Sequence, residues 1–359
     1  MIPESYRAIE LREYTEDLPS FQVVQKKRPE LAKGEVLIKM AASPINPSDL
    51  SFLRGQYGIK KKLPCVPGFE GSGTVVASGG GFYANYLKGK NVACSASPAG
   101  EGTWAEYMKV PAQLCLPLKK SIELEQGSMT IVNPLTAWSL IEIARDLGAK
   151  AIMQTAAAGA LGQMIHRLAK KKGLDVIDIV RREDQKQALE SQGFENVLIS
   201  EDAKFERELR VRAGKLNATV ALDAVGGEMT GTLAACMPNQ SHVIVYGGLA
   251  GEACSVHPGS LIFQGQTVHG YWLSTYLSQR NPLQLVRLSG RVQKLLNTEL
   301  KSQIRGRYSL EEGEKAVKDY TATMSGWKDS DHSLIILFAR SRDFESREQE
   351  ASGCDCPEH

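Results

Sequence analysis

The feature that most constrains this chain is an alternation of apolar runs and helical periodicity that sets in near residue 127. AWSLIEIARDLG opens it, with Leu140, Ile141, Ala144 and Leu147 on one helical face. The runs AIMQT, VIDIV, NVLIS, TVALDAV and HVIVYGG then alternate with predicted helices from about Gly159 to Lys172, Glu183 to Gln192, Phe205 to Ala213 and Glu228 to Cys236. A further strand, about Gln266 to Leu273, and a long helix through LQLVRLSGRVQKLL close the series. Apolar strands joined by amphipathic crossovers predict a parallel sheet covered on both faces, an α/β domain over residues 127–298.

Residues 1–126 have a different rhythm. FQVVQ, GEVLIKMAA, GSGTVVAS, KNVACSA and WAEYMKV are short β-like runs, punctuated by Pro44, Pro47, Gly55, Pro64 and Pro67. That pattern suits a small sandwich or open barrel. SQIRGRYS and LIILF read as strands around the helix LEEGEKAVKDYTATM, so residues 299–340 are expected to return to the N-terminal domain. The polar tail 341–359, with Cys354 and Cys356, lacks apolar periodicity and is expected to be disordered.

Composition excludes several classes. The chain carries 43 basic and 41 acidic side chains, too even a balance to steer it to nucleic acid or anionic lipid. Lys60–Lys62 and Lys170–Lys172 are short enough to read as solvated faces. No apolar run is long enough for a bilayer span and the first residues do not resemble a secretory signal, so a cytoplasmic protein is expected. The seven cysteines form no CxxC pair, and the six histidines show no metal-ligand spacing.

The strand KAIMQT runs directly into AAAGALG and then a helix. The G-x-G-x-x-G fingerprint maps onto Ala157, Gly159 and Gly162, with alanine in place of the first glycine. Small residues there let backbone N–H groups approach a pyrophosphate at a helix N-terminus. The next strand, VIDIV, ends in Arg181-Arg182, where an NAD-selective site usually carries an acidic residue for the ribose. Two guanidinium forks suit a 2′-phosphate instead, so NADPH is the expected cofactor.

Taken with the order of the domains, the segments SPINPSDLSFLRGQYG, LPCVPGFEGSGTVV, GTWAEYMKVP, NPLTAW, AAAGALG, DAVGG, YGG and GYWLS resemble the medium-chain dehydrogenase/reductase superfamily. They are most similar to its quinone reductase and 2-enoyl thioester reductase branches. The resemblance implies a GroES-like catalytic domain, a Rossmann-type domain and a cofactor in the interdomain cleft. It implies that Asn133 and Thr136 line the nicotinamide half, that Ala158, Gly159, Ala160 and Leu161 form the pyrophosphate turn, and that Arg181 and Arg182 meet the 2′-phosphate. Tyr246, Gly247, Gly248 and Leu249, with Tyr271, Trp272 and Leu273, would flank the cofactor from strand-end loops.

The chain departs from zinc-dependent members, which carry an early Cys and a Gly-His-Glu. Here those stretches read Pro47-Ser48-Asp49 and Gly68-Phe69-Glu70, and the structural-zinc loop is missing, so no metal is expected. Thioester reductases often present a Lys near the C-terminal cofactor edge, where this chain reads Ser330-Asp331-His332-Ser333. Without a metal, the acceptor must be polarised by hydrogen bonds. An activated C=C bond takes hydride at Cβ, spreads charge onto oxygen and is protonated at Cα. Tyr57 matches the tyrosine proposed as proton donor in 2-enoyl thioester reductases, and Asn46 is a second candidate as a backbone-fixing or substrate-orienting amide. Trp104 and Trp272 are expected to be pocket walls or core, and Glu70 to make a structural hydrogen bond. The leading expectation is an NADPH-dependent reductase of enones, enals or enoyl thioesters. A quinone reductase is one alternative, an NADPH-binding protein without turnover another. A homodimer joined through the strand near Gln266 to Trp272 is also implied.

Overall fold

The computed structural model describes residues 2–16, 21–325 and 334–338. The tail 341–359 and the stretch Ser330–Ser333 lie outside the described residues. The chain forms two compact units, one holding residues up to Ile131 and resuming at Ser302, the other running Val132–Lys301.

The first unit begins with β1 (Ser5–Leu11), β2 (Phe21–Lys27) and β3 (Glu35–Pro44), followed by β4 (Glu70–Ser78), β5 (Asn91–Ser95), β6 (Tyr107–Pro111) and β7 (Cys115–Pro117). The short helix Pro47–Leu53 interrupts the series between β3 and β4. β1 and β2 pair antiparallel as a separate ribbon. Sequence reading misses β1, because Arg7, Glu10 and Arg12 blur its alternation; in the fold Ala8, Ile9 and Leu11 are nevertheless buried. Val36, Ile38, Met40, Val75, Val92, Cys94, Met108 and Val110 form one apolar cluster across the larger sheet. Side chains of this size contribute about 1.5–3 kcal/mol each when fully buried.

The second unit supplies β8 (Ala151–Gln154), β9 (Asp175–Val180), β10 (Val197–Ile199), β11 (Ala218–Asp223), β12 (His242–Val245) and β13 (Thr267–Gly270). They form a parallel sheet in the order β10-β9-β8-β11-β12-β13. The order reverses between β8 and β11, the place where open α/β sheets bind ligands. Met153, Ile177, Ile179, Leu209, Ala221, Leu233 and Val243 pack in its core.

The chain then re-enters the first unit as β14 (Ile304–Ser309) and β15 (Leu334–Phe338), and β15 pairs antiparallel with β3. The first unit's larger sheet therefore reads β14-β15-β3-β4-β5-β7, with β6 on β3.

Three local expectations need correction. The strand expected over Gln266 to Leu273 is only Thr267–Gly270: Gln266 is a buried anchor whose side chain bonds Ser241 N and the carbonyls of Ala234 and Pro238, and Leu273 already starts a helix. The helix expected from Ala137 starts at Val132 and so takes in Asn133 and Thr136. Lys61 is not part of a solvated face, since its ammonium lies 5.9 Å from the Phe52 ring centre and desolvation lowers its pKa.

Candidate active site

In the second unit the residues singled out from sequence gather at the carboxyl ends of the parallel strands. AAAGALG follows β8, Arg181 and Arg182 follow β9, Tyr246 to Gly248 follow β12 and Tyr271 follows β13. The turn is held from beneath. Gln154 Nε2 donates to Gly162 O at 2.9 Å and to Asp178 Oδ1 at 2.6 Å, Gln163 Nε2 donates to Ala158 O, and His166 Nδ1 sits 2.7 Å from Asp178 Oδ2. First-turn amides of an α-helix such as Ala160–Lys171 have no intrahelical acceptor, a donor set that suits an anion. Gly162 is required, because a Cβ there would lie 2.6 Å from Ala157 O. The left-handed residue of this turn is Ala156 (φ 51°), one position before the alanine aligned with the first fingerprint glycine.

Asp223, at the end of β11, is the hub of the neighbouring loops. Its carboxylate accepts from Thr155 Oγ1, Val225 N, Gly226 N and Thr230 Oγ1, and its carbonyl accepts from Tyr246 N. Asn133 and Thr136 are buried in the first turns of their helix. The Tyr271 hydroxyl bonds Ser139 Oγ and the Thr136 side chain, and burial pushes it up to about 12. Thr136 and Tyr271 are thus brought together. Trp272, at 46 % exposed, is not a core residue. Sequence reading missed Gln154, Asp178, Asp223 and Ser139 as site-building residues; only the DAVGG motif hinted at one of them.

In the first unit Asn46 is fully buried and its Nδ2 donates to Glu70 Oε1 at 2.9 Å. Glu70 Oε2 accepts from Ile131 N. Asp49 accepts from Asn46 N at 2.8 Å and from Phe69 N at 3.1 Å; desolvation raises its pKa to about 7, with Glu70 adding to the rise. The Phe69 ring lies 4.9 Å from Tyr57 and 5.4 Å from Phe52. Gly68 in this segment has φ 96°, and a Cβ on it would lie 2.4 Å from Trp104. Tyr57 and Asn46 therefore meet the same segment, Phe69-Glu70, through its two different side chains. Asn46 is enclosed, and its amide is engaged with the Glu70 carboxylate.

Two families match the chain: the alcohol dehydrogenase GroES-like domain over residues 32–120 and the zinc-binding dehydrogenase over residues 160–289. The mitochondrial enoyl-[acyl-carrier-protein] reductase of Rattus norvegicus is 30% identical over 269 residues, 73% of this chain and 71% of that protein. The chain belongs to the medium-chain dehydrogenase/reductase superfamily. A Mesorhizobium loti protein assigned to the NADPH:quinone reductases shares 31% identity and a TM-score of 0.84, covering 94% of this chain and 99% of that one. The Etr1p complex with NADP and crotonyl-CoA, at 20% identity and TM-score 0.76 over 94% of this chain and 100% of that one, shares the fold. The expectation of a GroES-like domain and a parallel-sheet domain holds for this member of the superfamily, which is an oxidoreductase.

Zinc does not fit the residues at the position its zinc-dependent relatives use. Phe69 has no ligating atom, and the carboxylate oxygens of Asp49 and Glu70 already accept hydrogen bonds from the chain. Among the described residues no three His, Cys, Asp or Glu side chains cluster as a metal site. No helix among them is long and apolar enough to cross a membrane.

Proposed function

We propose that this protein is an NADPH-dependent reductase of activated C=C bonds in enones, enals or enoyl thioesters, working without zinc. The observation that carries the reading is the Tyr57–Phe69 contact: an aromatic ring stands where zinc chemistry would need a ligand, and a phenol rests against it. The dinucleotide would be held by the Ala158–Leu161 turn and by Arg181 and Arg182, with Asn133 and Thr136 lining its nicotinamide half and Tyr246, Gly247, Gly248, Tyr271, Trp272 and Leu273 flanking it from strand-end loops. When bound, the cofactor supplies hydride. The chain's own part is to exclude water, to orient the acceptor and to donate a proton from the Tyr57 hydroxyl to the developing enolate. Asn46 acts as a positioning residue through Glu70.

The relatives named as enoyl reductases favour this reading, and the neighbour assigned to the quinone reductases keeps NADPH:quinone reduction as a second one. NADPH oxidation measured against enals, a crotonyl thioester and quinones separates them. Turnover confined to quinones would replace the first reading with the second, and no turnover on any would leave a nucleotide-binding protein.

The same reading includes a cytoplasmic homodimer. β13 is an edge strand whose residues Thr267–Gly270 are all exposed, and Ile262 and Phe263 beside it in sequence are 70% and 84% exposed. An exposed strand edge with apolar residues nearby is what a two-fold mate would pair with.

A further inference from the structure

Both guanidiniums at the end of β9 already face a carboxylate. Arg182 donates through Nε to Asp184 Oδ1 at 3.2 Å and through a terminal nitrogen to Oδ2 at 3.4 Å. Arg181 Nε lies 3.7 Å from Glu201 Oε1, on the loop after β10. The Arg182 contact engages the two-pronged edge of the guanidinium, the same edge that a phosphate grips with two parallel bonds. A carboxylate seated there must yield before a phosphate docks, and any negative charge that stays nearby repels it. The backbone beneath is held separately, since Gln185 Oε1 accepts from Arg181 N at 2.9 Å and Arg182 N at 3.3 Å. Losing the Asp184 charge therefore leaves the strand end in place.

We infer that Asp184 and Glu201 are specificity-determining residues that weaken the hold on a 2′-phosphate by competing for Arg182 and Arg181. The inference rests on the NADPH reading above. Arg182 also holds the Asp184 carboxyl below its ordinary range, in keeping with the geometry of the pair. Exposed ion pairs of this kind are worth up to about 1 kcal/mol, which as a competition corresponds to about fivefold in a dissociation constant.

The test is calorimetric binding of NADPH, NADH and 2′,5′-ADP to the unmodified protein and to Asp184→Asn, Glu201→Gln and Arg182→Ala. Asp184→Asn and Glu201→Gln are expected to tighten NADPH and 2′,5′-ADP by about three- to fivefold and leave NADH unchanged, with the gain shrinking at high salt. Unchanged or weaker 2′-phosphate binding in both variants, while the unmodified protein still prefers NADPH, would overturn the inference alone, because the acids would then hold the arginines in place for the ligand. Equal NADPH and NADH affinity in the unmodified protein, with no change in Arg182→Ala, would overturn the cofactor reading itself.

Discussion

The Tyr57 ring lies 4.9 Å from that of Phe69 and is tilted from it by 42°. Phe69 is in turn tied to the helix Pro47–Leu53 by the bond from its backbone N–H to Asp49. A phenylalanine at this position thus does more than remove a metal ligand. It provides an apolar support for a tyrosine on a loop, and Asp49 and Glu70 anchor that support.

If the Tyr57 hydroxyl donates to the enolate, Tyr57→Phe keeps the ring and removes the hydroxyl that carries the proton. Turnover on enal or enoyl substrates should fall about 10²–10⁴-fold with little change in KM. Quinone reduction should fall less, because a quinone needs no protonation at carbon. Wild-type turnover on enoyl substrates would reduce Tyr57 to a pocket wall.

Asp49 gives a pH prediction. Its folded pKa, about 7, lies above its unfolded value, so the native state binds the proton more tightly. The stability this contributes is full below about pH 4 and is lost as pH rises through about 7. Asp49→Asn cannot accept from both Asn46 N and Phe69 N, so it should cost about 1–3 kcal/mol at low pH. That cost should shrink as pH rises from 5 to 8 in urea unfolding. A pH-independent difference would mean Asp49 is ionised throughout the range.

For the cofactor, Arg181→Asp combined with Arg182→Ala should abolish or reverse an NADPH preference of at least about tenfold, or about 1.4 kcal/mol. Fluorescence titration with both nucleotides measures it. An unchanged ratio would move the 2′-phosphate elsewhere.

Prolonged exposure to a strong chelator should leave folding and activity intact. Stoichiometric zinc by elemental analysis, with activity lost on its removal, would mean that ligands come from residues other than Asp49 and Glu70.

Sedimentation at micromolar concentration should give a mass near twice the 39.2 kDa of one chain. A charge in the exposed edge, Val268→Asp, should shift the protein to monomer without unfolding it. A monomeric unmodified protein would refute the edge-pairing model.

Local spacing along the chain already encodes much of the second unit and of the turn after β8. Apolar runs alternating with helical periodicity dictate a parallel sheet, AAAGALG between a strand and a helix predicts a nucleotide turn, and Phe69 removes a ligand whatever the fold around it. The sequence does not show which side chains meet across long separations. Ser139 and Tyr271 are 132 residues apart, Thr155 and Asp223 are 68 apart, and Asn46 and Glu70 are 24 apart. Each pair is brought together by strand order or by adjacent loops, not by periodicity, so Asp223 and Gln154 read as ordinary polar residues until the sheet is assembled. Only in the assembled fold is Asn46 enclosed, Ala156 the left-handed residue of the turn, and each arginine set against Asp184 or Glu201. The physical reason is that a buried polar group must find a hydrogen-bond partner, and the topology decides which partners are within reach.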